Sequence, residues 1–202
     1  MDDAAAAAAL IGLAFAAQTV ATDPPPSALN ETTASVSASL AAEGPTAKER
    51  GGGFAAWIGQ TLAGCVLWEV KPRGLYLGRL AVHPNHRGKA IAPALINAAE
   101  AQARHLALPR LLLSTRLALA DNRRLFARCG FIETEQHAHP GYAWGCPVSI
   151  DGLLAIGLGV VHGGLHLGFV GQGRAIFQRG MEPHWVVPAF DAAEAGHPCF
   201  GL

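Results

Sequence analysis

The sequence predicts an α/β fold with a mixed, mostly antiparallel central sheet and helices on both faces. Three observations carry that expectation. The strand-like runs "FAAWI" and "TLAGCVLWEV" are separated by Gly59-Gln60, a two-residue hairpin signal, and "LYLGRLAVH" follows the turn "KPRG". Residues 54–83 therefore read as an antiparallel meander. Next, a strand over 75–83, a helix over 91–107 and a strand over 110–116 make a βαβ crossover. Finally, the chain has 202 residues, half of them hydrophobic and 15% charged, which suits one domain with a buried core.

The elements justify themselves in order. Residues 3–20 read as a helix of strong formers capped by Asp2 or Asp3. "TDPPPSALNETT" is a loop, because its prolines lack amide donors. "ASVSASLAAE" is a second short helix entered through Thr32 or Thr33, and "GPTAKERGGG" is a polar connection. In the helix over 91–107, Ile91, Leu95, Ala98, Ala99 and Leu106 share one face, while Asn97, Glu100 and Arg104 lie toward the other. Pro93 is tolerated in the first turn and Pro109 ends the helix. "RLLLSTR" has the apolar run of a strand buried on both faces. "LADNRRLFARCGF" is a short helix with Asp121 as N-cap and Gly130 as the left-handed residue past its end. "FIETEQ" is a further strand.

After Asp151 the periodicity fades. Residues 1–151 are expected to form the domain, and 152–202 an atypical Gly/His-rich tail for which disorder is one expectation. The run Gly152–Val170 has the length of a membrane span, but His162, His166 and many glycines argue against insertion, so no membrane is expected. The first twenty residues are apolar too, yet their start is acidic where an export signal is basic. The formal net charge is zero, which removes any global attraction to nucleic acid. The four cysteines form no CxxC pair, so a reducing, cytoplasmic setting is the default. His162 and His166 stand four apart but lack a third ligand, and no metal is expected.

The chemistry concentrates in "HPNHRGKAIA", where a strand becomes a helix. A helix N-terminus exposes unpaired amides and the positive end of a dipole, which together attract phosphate. Gly88 lets the backbone approach a ligand, and Arg87 and Lys89 add local positive charge. There is no GxxxxGK(S/T), and no GxGxxG after a first strand, so neither familiar nucleotide loop is present.

With "LAVHPNHRGKAIAPAL" followed by a strand and then "NRRLFARCGF", the sequence resembles the GNAT superfamily of acyl-CoA-dependent N-acetyltransferases over roughly residues 3–151. The family fingerprint Gln/Arg-x-x-Gly-x-Gly/Ala is matched by Arg87, Gly88, Lys89, Ala90, Ile91 and Ala92. The resemblance implies that this turn holds the coenzyme A pyrophosphate and that Leu80, Ala81 and Val82 offer backbone groups to the pantetheine arm. It further implies that Asn122 and Phe126 lie beside the coenzyme. The co-substrate would be acetyl-CoA, and the acceptor a small-molecule or peptide amine that attacks the thioester directly; a homodimer is an open expectation. Cys129 would be a core residue rather than a nucleophile.

Four departures from the family pattern qualify the match. Ala90 stands where the family has glycine. Phe126 stands where it often has the tyrosine that protonates the leaving thiolate. The family's opening strand is missing, and the tail after Asp151 has no counterpart. That tail either packs over the bare sheet edge or has the composition of a shifted reading frame in a GC-rich gene. For the base that takes the amine proton, His137, His139 and Tyr142 in "HAHPGY" are the densest candidates, with Glu69 and Glu133 nearby. Arg79 and Arg116 could attract an acidic acceptor. The rival to the enzyme is a non-catalytic module of the same fold that binds acyl-CoA or a partner.

Overall fold

The computed structural model describes residues 3–41, 51–136, 148–151 and 167–170, the last two segments as strand backbone. Helices α1 (Asp3–Ala16) and α2 (Thr33–Leu40) come first, followed by strands β1 (Gly51–Ile58), β2 (Thr61–Lys71) and β3 (Gly74–Val82). Then come α3 (Ile91–His105), β4 (Leu111–Thr115), α4 (Ala120–Arg128), β5 (Glu135–Gln136), β6 (Val148–Asp151) and β7 (Leu167–Val170). The strands join in one sheet of order β5-β6-β4-β3-β2-β1-β7. Among the described strands only the β3–β4 pair is parallel. This is the mixed, mostly antiparallel sheet predicted from the meander and the crossover.

Each face of the sheet has its own core. On one face, α3 lays Ile91, Leu95 and Ala99 against Val66, Leu75 and Leu77, with Phe126 of α4 and Phe131 closing one end. On the other, Ala7, Leu10, Ile11 and Ala14 of α1 and Val36 of α2 cover Cys65, Leu67 and Ala81. The alanines of α1 allow a close approach to the sheet, and burial without long side chains costs little rotamer entropy. α2 begins where the sequence suggests. Thr32 accepts from the Ser35 amide at 3.1 Å and the Ser35 hydroxyl accepts from the Thr32 amide at 2.9 Å, a capping box.

The seat of α3 depends on Gly64 of β2. A Cβ there would meet Cγ2 of Ile91 at 2.5 Å and Cδ1 of Leu95 at 3.1 Å, so the helix can settle only on a bare backbone. The β2–β3 ladder also carries a bulge. Cys65 pairs with Ala81 and Leu67 with Gly78, so Val66 alone faces both Arg79 and Leu80. Arg79 takes the left-handed conformation, φ 54°, that the extra residue imposes.

Several boundaries differ from the sequence expectation. α1 ends at Ala16 rather than at residue 20, because Thr19 and Val20 are β-branched and the proline loop follows. Asp121 lies in the first turn of α4 and pairs with Arg124, while Leu119 occupies the cap. The strand read over 131–136 is reduced to Glu135–Gln136, because Glu133 is held by Arg123 of α4 at 2.6 Å. At the other edge, β7 comes from the segment that showed no strand alternation; its residues from Leu167 to Val170 pair antiparallel with those from Ala56 to Gly53 of β1. Gly130 follows α4 with φ 86°, as read. Among the described residues no helix is long and apolar enough to cross a membrane.

Candidate functional site

The parallel pairing of β3 and β4 covers Leu75–Leu77 against Leu111–Leu113 and then stops, although β3 continues to Val82 and β4 to Thr115. β4 has its next partners on the other side, where Ser114 and Thr115 face Ser149 and Val148 of β6. The second half of β3 is thus left with an open side, and a cleft of about 370 Å³ occupies the gap. Its walls are Tyr76–Leu80 of β3, Leu113–Arg116 at the end of β4, and Leu119, Asn122 and Phe126 of α4. Phe15, Gln18, Pro26, Ser27 and Ala28, from α1 and the loop after it, close the remaining side. An open strand side with free backbone groups is a place where an extended ligand can pair as an added strand.

Beyond Val82 lies the basic turn. His83 accepts from the Asn85 amide at 3.2 Å and its own amide reaches the Ala63 carbonyl at 2.9 Å, which fixes the exit from β3. Gly88 has φ 75° and Ala90 has φ 57°, and α3 starts at Ile91. The hydrogen bonds among the described residues use none of the amides of Gly88, Lys89, Ala90, Ile91 or Ala92, and Pro93 has none to offer. Five consecutive amides without a partner among the described residues, at the positive end of a 15-residue helix, make a candidate anion seat. The left-handed backbone at Ala90 also shows why glycine suits this position: any Cβ there costs about 1–2 kcal/mol.

The cations of this region have different partners. Lys89 is exposed and lies 3.3 Å from Nδ1 of His86. Arg87 turns back to α1, where Nη2 donates to the Ala14 carbonyl at 3.0 Å and Nη1 to the Ala17 carbonyl at 3.5 Å. It caps the negative end of that helix. Arg79 donates to Oε1 of Glu31 at 2.5 Å and to the Ser27 hydroxyl at 3.3 Å, tying the loop after α1 to the bulge. Burial works to raise the Glu31 carboxyl, but hydrogen bonds from Ser35 and Arg79, together with the Arg79 charge, hold it below the usual range. Arg116 has no such partner, and its Nη1 is buried without a hydrogen bond among the described residues.

Of the three β3 residues expected along the pantetheine arm, Leu80 lines the cleft. Ala81 is packed under α1 and Val82 against the α3 core, so these two have only backbone to present. Asn122 and Phe126 both line the cleft, and Phe126 meets Phe131 edge-on at 5.9 Å. Slight desolvation, the Lys89 ammonium and the His83 ring lower the His86 pKa. Burial pushes the Cys65 thiol up to about 12 and raises Cys129 as well, against the opposing charge of Arg128. Neither is a ready thiolate. Glu69 pairs with Lys71 at 2.9 Å and Glu133 with Arg123, so the structure brings neither to the cleft. His137, His139 and Tyr142 lie outside the described residues. Sequence reasoning missed the α1 side of the cleft, Phe15, Gln18 and Pro26–Ala28, since no local pattern marks a loop that acts by packing across a sheet.

A sheet opened between two parallel strands, with an amide-lined turn at the end of one of them, suits an extended ligand with an anionic end. The model of the acetyltransferase (GNAT) family matches residues 19–131, more than half of the chain, and the protein belongs to that family. A GCN5-related N-acetyltransferase from Rhodopseudomonas palustris is similar at 19% identity and TM-score 0.58, covering 76% of this chain and 91% of that one. PaiA N-acetyltransferase from Thermoplasma acidophilum, solved in complex with coenzyme A, is similar at 14% identity and TM-score 0.58, covering 75% and 93%. Nourseothricin acetyltransferase shares 26% identity at TM-score 0.42 over 46% of this chain; the chain spans 58% of its length. No curated protein matches.

Proposed function

We propose that the protein transfers an acetyl group from acetyl-CoA to a primary amine by direct attack. The open side of β3 between Leu77 and Val82, ending at five free amides, is the observation that carries the reading. On this reading the amides of Gly88 to Ala92 hold the pyrophosphate, the backbone of Leu80–Val82 pairs with the pantetheine arm, and the thioester lies in the cleft beside Asn122 and Phe126. Coenzyme A bound to the Thermoplasma relative, and the family itself, support the co-substrate. The neutral amine attacks the thioester carbonyl carbon, and its oxygen takes the negative charge. A backbone amide freed by the Arg79–Leu80 bulge can stabilise that charge, since a bulge leaves one residue out of the ladder. Collapse expels the coenzyme A thiolate, and the attacking nitrogen gives up a proton to a base, for which His137, His139 and Tyr142 are the proposed candidates. No enzyme nucleophile is needed, in keeping with the raised Cys129 thiol.

A second reading, a module that binds acyl-CoA without turnover, draws on the phenyl ring of Phe126, which has no proton to give the departing thiolate. Calorimetry with acetyl-CoA, together with release of free coenzyme A thiol across a panel of amines, tests both. Binding that weakens with added salt, followed by thiol release with at least one amine, is expected. A folded protein that gives no heat at millimolar acetyl-CoA overturns the proposal, and binding without release favours the module. Phe126→Tyr adds a phenol at the cleft wall and is expected to retain transfer with a raised kcat; a collapse of kcat in a folded variant would show that this ring does not face the leaving group.

A further inference from the structure

The cleft contains an arginine for which the chemistry so far has no use. Among the described residues its lining includes no aspartate or glutamate, and the charged ones are Arg79 and Arg116. Arg79 is neutralised by Glu31. The buried Nη1 of Arg116 has no partner among the described residues, although a buried guanidinium donor left unpaired is costly. Arg116 stands directly after β4, and the cleft that it lines is walled by Phe15, Gln18 and Pro26–Ala28 of α1 and its loop, while none of the amides from Gly88 to Ala92 belongs to that lining. A planar fork of donors matches a carboxylate in both size and valence.

We propose that Arg116 binds a carboxylate of the acceptor, so that the acetylated amine belongs to an amino acid or a short peptide with a free carboxyl group. The inference rests on the acetyl-transfer reading. Arg116 is a specificity-determining residue: it touches a part of the acceptor remote from the reacting nitrogen and holds that nitrogen toward the thioester. A polycationic acceptor would meet an uncompensated positive charge in the cleft.

The test compares L-amino acids and dipeptides as free acids with the same compounds as carboxamides, reading thiol release in the wild-type protein, Arg116→Gln and Arg116→Lys. Acetyl-CoA affinity is measured in each by calorimetry. In the wild type, kcat/KM is expected to favour an acid over its amide by about tenfold or more, because the amide leaves the guanidinium unpaired. The ratio falls toward one in Arg116→Gln and is partly restored in Arg116→Lys, while acetyl-CoA affinity stays within about twofold, since the phosphates sit elsewhere. An equal rate for acid and amide in the wild type overturns the inference without need of a variant, and so does acetyl-CoA binding with no transfer to any member of the panel. A loss of acetyl-CoA affinity in Arg116→Gln that is absent with 3′-dephospho-acetyl-CoA overturns it too, by assigning the arginine to a coenzyme phosphate. Absence of acetyl-CoA binding in the wild type overturns the transfer reading itself, and this inference with it.

Discussion

The basic turn and the α1 wall of the cleft are built by opposite means. The turn is one short backbone segment, Gly88 to Ala92, with two left-handed residues and a helix start, whose amides have no hydrogen-bond partner among the described residues. The opposite side is a loop held in place by side chains. Glu31 meets Arg79 across 48 positions, and Arg87 reaches Ala14 across 73. A site made of contiguous backbone has a fixed geometry and asks little of side-chain identity. A wall made of long-range side-chain contacts can be retuned one residue at a time, which suits the side proposed to receive the acceptor.

Ala90→Pro should break the first side hardest. Proline holds φ near −65° where the chain needs 57°, and it removes one of the five donors. Acetyl-CoA affinity by calorimetry is expected to fall by about 100-fold or more, with a stability loss of roughly 1–3 kcal/mol in urea. An unchanged affinity would show that the phosphates bind elsewhere.

On the other side, Glu31→Gln leaves Arg79 without its carboxylate. The carboxylate is only 11% exposed and the guanidinium 33%, so the loss should fall between that of a surface pair and a buried one, about 1–2 kcal/mol. The pH dependence follows from the lowered Glu31 pKa. Because the folded value lies below the unfolded one, the pair stabilises the protein above the ordinary glutamate range, and that contribution disappears as pH falls through the folded value. Melting curves at decreasing pH should show this acid loss in the wild type and lack it in Glu31→Gln. Acetyl-CoA affinity at neutral pH should be untouched, which separates the two sides.

Arg87→Ala tests the link between them. Its guanidinium sits on the last carbonyls of α1, so the expected effect is about 1 kcal/mol of stability, from loss of a charged cap. A large loss of acetyl-CoA affinity with little change in melting would return Arg87 to the phosphate. The smallest effect belongs to Ala90→Gly. Relief of the left-handed strain, about 1–2 kcal/mol, is partly offset by the greater freedom of unfolded glycine, about 0.5–1 kcal/mol. Stability should rise by a few tenths to about 1 kcal/mol, with acetyl-CoA affinity raised a few-fold as the methyl leaves the seat.

This division explains what could be read from the residues alone. The meander, the crossover, the Gly59 hairpin and the basic turn are local patterns, and each stands where its period and turn residues put it. Even the conflict at Ala90 was visible, because a glycine position in the fingerprint implies a left-handed angle. The pairing of Glu31 with Arg79, the retreat of Arg87 to α1, and β7 lying along β1 were not visible. Each depends on which distant segment arrives at a surface, and no periodicity in either segment encodes that. Arg79 and Arg116 looked alike in the sequence; a carboxylate that packs beside one of them distinguishes the two.

Gly64 acts as a shim of zero thickness. It lies on β2, a strand that contributes no side chain to the cleft, and directly under Ile91, the first residue of α3. The helix behaves as a lever about 22 Å long, at roughly 1.5 Å per residue, whose near end carries the row of amides. Adding one methyl at Gly64, with Cγ2 of Ile91 only 2.5 Å away, would have to raise that end by about 1 Å to restore ordinary carbon contact. Displacements of about 1 Å are the scale on which alignment of reacting groups loses a hundredfold in rate. On the acetyl-transfer reading, the alignment of a thioester on the far side of β3 is therefore set by a residue with no side chain at all.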